Sequence, residues 1–72
     1  MEEAIFLQRM KDDILDTDVE LSLDTVLEDI DGWDSLGFVS FIAMAKSVGG
    51  QKVDAATVSA AKTLADLFAF VK

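Results

Sequence analysis

Seventy-two residues, 51% of them hydrophobic, make one small domain, because a chain of this size buries only about 60% of its extended surface on folding. A net charge of −8 repels nucleic-acid phosphates and anionic lipid surfaces, and favours protein partners with basic faces. With no cysteine, histidine or tyrosine, a disulfide framework, a thiolate metal site and the usual neutral-pH acid–base and nucleophilic groups are missing, so an independent enzyme is not expected.

Phe6, Leu7, Met10 and Ile14 recur at helical spacing, with Glu2, Glu3, Arg9, Lys11, Asp12 and Asp13 between them. This predicts a first helix over roughly residues 2–15. Asp16, Thr17 and Asp18 break the pattern. Residues 16–34 then form a long connection in which Val19, Leu21, Leu23, Val26, Leu27, Ile30 and Trp33 are dispersed. So many large apolar groups predict a loop packed on the core, with a short helix around Thr25–Ile30 as the alternative. Asp16, Asp18 and Glu20 alternate like the start of a calcium loop, but Leu21 and Leu27 stand where glycine and a bidentate glutamate are needed, so no EF-hand is expected; no defined metal site is expected, although loose binding of divalent ions by the acidic loop would relieve charge repulsion. Trp33 reads as a packed anchor.

The second helix starts at Asp34-Ser35, where either side chain can cap the first-turn N–H groups. Phe38, Phe41, Ile42 and Ala45 form its inward stripe, and Leu36, Val39, Ser40, Ala43 and Lys46 lie on outer or flanking faces. Gly49-Gly50 ends it. Asp54 caps a short third helix over about 55–60. Thr63 and Asp66 form a capping-box variant opening a fourth helix, with Leu64, Leu67, Phe68 and Val71 on its buried side. There is no strand alternation. The expected fold is all-α: a four-helix bundle of three longer helices and one short one, with a long packed loop between the first two.

The segment Asp31-Gly32-Trp33-Asp34-Ser35-Leu36-Gly37 stands out. A serine at a helix start, preceded by a carboxylate and flanked by glycines, sits where free N–H groups and the helix dipole favour an anion. A phosphodiester on Ser35 suits that place, and the two glycines would leave an enzyme room to approach. As a bare tripeptide, Asp34-Ser35-Leu36 is equally a helix cap.

Taken together, these features resemble the acyl carrier protein family, the phosphopantetheine-attachment or thiolation domains. The family's Asp-Ser-Leu is matched by Asp34-Ser35-Leu36, and the Thr-x-x-Asp-Leu opening of its last helix by Thr63, Asp66 and Leu67. Its size, acidity and long first loop are matched too, so the resemblance covers essentially the whole chain. It implies an acyl-carrier-like bundle in which Ser35 accepts 4′-phosphopantetheine from coenzyme A through a separate, Mg²⁺-dependent phosphopantetheinyl transferase. Asp34 would assist that transferase, and Leu36 would flank the attachment point. The arm's thiol would hold acyl groups as thioesters for acyl-loading and acyl-transferring enzymes with basic docking surfaces. Leu36, Val39, Ser40, Ala43 and Asp31 are the expected docking positions.

Two departures qualify the resemblance. Gly37, Ser40, Lys46 and Ser47 stand where general fatty-acid carriers commonly have acids, whereas Asp24, Glu28, Asp29, Asp31 and Asp34 cluster before the motif. A specialised carrier with its own enzymes is therefore expected. Phe38 and Phe41 are bulky at positions able to line a cleft between the second and third helices, which predicts weak burial of a long acyl chain and a small or polar cargo. Alternatively, they fill a core opposite the small Ala55, Ala56, Ala60 and Ala61. An aminoacyl or peptidyl carrier, and a helical adaptor in which Ser35 is a cap, remain the other functional readings. No run of about 18 apolar residues spans a membrane, and Met1-Glu2-Glu3 has the wrong charge for a secretory signal. A cytoplasmic monomer is expected, since no apolar heptad pattern is present.

Overall fold

A computed structural model of the chain describes residues 1–30, 32–50 and 53–72. Among them there are four α-helices and no strand: α1 (Glu3–Arg9), α2 (Ser35–Ser47), α3 (Ala55–Ser59) and α4 (Leu64–Phe68). The helix α1 runs on without a break into a π-helical turn, Met10–Ile14. Phe6, Met10, Phe41, Ala45, Leu64 and Leu67 are fully buried and bring all helices but α3 to one core, which α3 joins through Val58.

The π turn changes which residue faces inward. In an α-helix the residue four beyond Met10 would cover the core, and the sequence pattern accordingly selects Ile14. Here Leu15 N–H donates to the Met10 carbonyl at 2.8 Å, five residues back. The wider turn rotates the chain by one position. Leu15 is therefore buried and Ile14 half-buried. Asp16 follows with φ +48°, a left-handed conformation that aspartate tolerates better than most residues.

The connection from residue 16 to 34 packs as a loop, with Leu27 buried and Leu21, Leu23, Ile30 and Trp33 against the core. The alternative short helix is reduced to one 3₁₀ turn, Leu27–Asp29. Val19 and Val26 do not pack and are 64% and 39% exposed. The loop is stapled to the start of α4 by backbone hydrogen bonds. Leu27 N–H donates to the Lys62 carbonyl (2.8 Å), Leu64 N–H to Thr25 (3.1 Å) and Ala65 N–H to Leu23 (2.9 Å). Val26 and Thr63 pair as an isolated antiparallel bridge.

The ends of α2 follow the sequence closely. At its C-terminus Gly49 takes φ +82°, Gly49 N–H donates to Lys46 and Gly50 N–H to Ala45. These two bonds make a Schellman motif that only glycine enters without strain. Gly50 is also hemmed in, since a Cβ there would lie 2.7 Å from the Ala45 oxygen and 2.8 Å from that of Phe70.

The last helix is shorter than the sequence suggests. The helix α4 has five residues, as α3 does, so the fold has two longer helices and two short ones. After Phe68 the chain tightens: Phe70 N–H donates to Leu67 and Val71 N–H to Phe68, three residues back. This turns Phe70 toward Phe41, with ring centroids 6.3 Å apart, and buries Val71.

Both short helices carry capping boxes, Asp54 with Thr57 and Thr63 with Asp66. Hydrogen bonds from the backbone N–H of Thr57 hold the Asp54 carboxylate below its ordinary pKa of 3.8. Those from Lys62 and Thr63 do the same for Asp66. A depressed folded-state pKa contributes stability that is fully present above the unfolded value and lost as pH falls through the folded one. The urea midpoint of wild type should therefore drop more steeply below about pH 4 than that of Asp66→Asn. Comparing the two chains cancels the general charge relief of acid, which acts on both. Parallel pH profiles would remove the cap contribution.

Candidate functional site

The start of α2 assigns separate tasks to its two polar residues. Asp34 is the N-cap, with an extended backbone, and its Oδ1 accepts from Gly37 N–H at 3.0 Å. Ser35 is the first helical residue, exposed, and its hydroxyl makes no hydrogen bond among the described residues. The sequence allows either side chain to cap. The geometry gives that role to Asp34 and leaves the Ser35 oxygen free at the positive end of a 13-residue helix. There, first-turn N–H groups without intrahelical acceptors point outward.

Two glycines bring the site close to the rest of the fold, although not as the sequence suggests. They do not clear space for an approaching enzyme, because backbone occupies that space. A Cβ on Gly32 would lie 2.8 Å from the Leu15 carbonyl oxygen, and one on Gly37 2.9 Å from the Gly32 oxygen. The end of the π turn at Leu15, the loop and the first turn of α2 are thus stacked backbone on backbone. Alanine in a helix is normally favoured over glycine by roughly 0.5–1 kcal/mol. Gly37→Ala should reverse that sign and destabilise by about 1–3 kcal/mol, read as a lower urea midpoint. A midpoint at or above wild type would mean that the loop yields freely.

Trp33 packs its edge against Phe38 and Phe41, with centroids 6.2 and 6.3 Å away. It is the anchor the sequence suggests, but it stays half-buried and its remaining surface borders two depressions. One is an open groove of about 350 Å³ around Ser35, lined also by Asp34, Phe38, Val39 and Ser59. The other is a cleft of about 890 Å³ between the loop and the α3–α4 connection, which reaches Val26, Leu27 and Lys62. Trp33 and Ser59 belong to both. Ser59 carries no signal in the sequence, since the fold alone brings the end of α3 beside Ser35.

Phe41 is fully buried, so it fills the interior, while the half-buried Phe38 lines the groove. The alanines of the third helix do not face it: Ala55, Ala56 and Ala60 are exposed and Ala61 half-buried, and Val53 and Val58 supply the buried contacts instead. Along the outside of α2, Leu36, Val39, Ser40 and Ala43 share one exposed face, Leu36 at 78% and Val39 at 61%. Asp24, Glu28, Asp29 and Asp34 are exposed. Asp31, expected among the docking residues, lies outside the described residues. Among the described residues no helix is long and apolar enough to cross a membrane.

Compared with protein-family models, curated proteins and solved structures, the chain matches none.

Proposed function

We propose that this chain is an acyl carrier protein with an acyl-carrier-like fold, and that Ser35 is where 4′-phosphopantetheine is attached. The observation that carries this reading is the free, exposed Ser35 hydroxyl at the first position of α2, with capping delegated to Asp34. An adaptor that used Ser35 as a cap would have the two roles exchanged. The chain fits the group physically. The oxygen is accessible, it opens onto a groove, and a phosphodiester there meets the helix dipole.

Attachment needs coenzyme A and a separate phosphopantetheinyl transferase. Ser35 Oγ forms the new bond to phosphorus, the pyrophosphate linkage of coenzyme A breaks, adenosine bisphosphate leaves, and the hydroxyl proton passes to a base of the transferase. Asp34 stands next to the reacting oxygen and is the residue for helping to hold the transferase's Mg²⁺. When bound, the arm supplies the thiol this chain lacks, on which an acyl group is held as a thioester. The chain itself performs no catalysis. It works as a cytoplasmic monomer and offers the apolar face Leu36, Val39, Ser40 and Ala43 to acyl-loading and acyl-transferring enzymes. The exposed acids Asp24, Glu28 and Asp29, with Asp31, attract the basic surfaces of those enzymes. With no acid in α2, its enzymes are specialised ones and not those of general fatty-acid synthesis. The test is incubation with coenzyme A, Mg²⁺ and a broad-specificity transferase, read by intact-mass spectrometry. A covalent gain confined to the peptide containing Ser35 is expected.

A further inference from the structure

We propose that the cleft between the loop and the α3–α4 connection is the resting site of a short apolar acyl group tethered at Ser35, a reading that rests on the carrier function of that residue. Three observations lead there. First, the interior is closed to cargo. Phe6, Met10, Phe41, Leu64 and Leu67 are without solvent exposure, and the Gly37–Gly32 contact leaves no gap beneath the first turn of α2. Second, the cleft is the right size and character. At about 890 Å³ it lies within the range of small-molecule sites, roughly 300–1,000 Å³. It is lined by the buried Leu27, the half-buried Trp33 and Ala61 and the exposed Val26, and its polar members are the exposed Glu28, Ser59 and Lys62 with Thr63. Third, it is connected to the tether. Trp33 and Ser59 border both this cleft and the groove that holds Ser35, so an arm leaving the serine passes directly between them.

A short aliphatic tail buries its apolar surface against Trp33 and Leu27 and leaves the thioester near the cleft's polar side chains. A long tail has no interior to continue into and returns to water. Cargo selectivity is then set by an external cleft whose tryptophan wall belongs to the same segment as the attachment point.

The chain has a single tryptophan, so its emission reports on Trp33 itself, and the amides of Ala61 and Lys62, which line the cleft and not the groove, distinguish the two depressions. Acetyl, hexanoyl and dodecanoyl forms, each transferred with the arm from the corresponding acyl-coenzyme A and checked by mass, are compared with the unacylated holo form. Hexanoyl should shift Trp33 emission to the blue where acetyl does not. It should also move the backbone amide resonances of Ser59, Ala61 and Lys62, leaving those of Phe41, Ala45 and Leu64 in place. Dodecanoyl should add no perturbation at the core amides. Ala60→Phe, which fills the cleft from an exposed position, should accept the arm as wild type does and lose the hexanoyl shift. Unchanged Trp33 emission with hexanoyl, or resonance changes centred on Phe41 and Leu64, overturns the cleft while leaving the carrier reading standing. A chain that never accepts the arm overturns both.

Discussion

Ser35→Ala is expected to lose the entire gain in mass on incubation with coenzyme A and a transferase, and to keep its stability within about 0.5 kcal/mol of wild type. The second half of that statement comes from the geometry. The hydroxyl is exposed and unbonded among the described residues, so removing it orphans no partner. Asp34→Ala should behave in the opposite way. Its carboxylate accepts from Gly37 N–H, and loss of an N-cap costs about 1 kcal/mol. Arm transfer should become slower without being abolished, because the acceptor oxygen remains. The pair separates attachment from capping, with intact mass reporting the first and urea unfolding the second. Modification of Ser35→Ala to the wild-type extent would end the assignment. A fall in its stability as large as that of Asp34→Ala would return the serine to a structural role.

The largest effect on folding is expected from Phe41→Ala. Phe41 is fully buried, edge-on to Trp33 and Phe70 at centroid distances of 6.3 Å each. Truncating a buried phenylalanine costs about 3–5 kcal/mol, counting lost transfer energy and the residual cavity. A domain of 72 residues has roughly 4–11 kcal/mol in total, at about 0.05–0.15 kcal/mol per residue. The variant should lose much of its thermal transition, and the Trp33 environment should become water-like. Val39→Ala is the control: its side chain is 61% exposed, and its unfolding should lie within about 0.5 kcal/mol of wild type. A Phe41→Ala melting curve that superposes on wild type would mean that the three-ring contact is dispensable.

The elements whose start and stop depend on local chemistry were legible in the sequence. The start of α2 at Asp34-Ser35, Asp54 before α3, Thr63 with Asp66 at α4 and the Gly49-Gly50 stop are all found where side-chain pattern alone puts them. The exposed face of α2 was legible as well, because i, i+3, i+4, i+7 spacing needs no tertiary knowledge. What escaped depends on non-local contact. The burial of Leu15 in place of Ile14 follows from one π turn, which has no signature in a 3.6-residue pattern. The early end of α4 follows from Phe70 reaching Phe41. Gly32 and Gly37 were visible as glycines, but which atoms crowd them is set by the stacking of three segments. Ser59 enters the site by topology alone. The free state of the Ser35 hydroxyl was the least accessible of all, since the sequence allows Asp34 and Ser35 equally as caps.

The backbone bonds that join the long loop to the start of α4 fix one side of the cleft beside Ser35. Leu23, Thr25 and Leu27 are tied to Lys62, Leu64 and Ala65, so that side cannot open without breaking paired amides. The opposite side is a helix of five residues, seated on the core by Val58 and, just ahead of it, Val53. The bond from Leu27 to Lys62 thereby holds the two walls of the cleft against each other, and its width is set where the loop meets the start of α4.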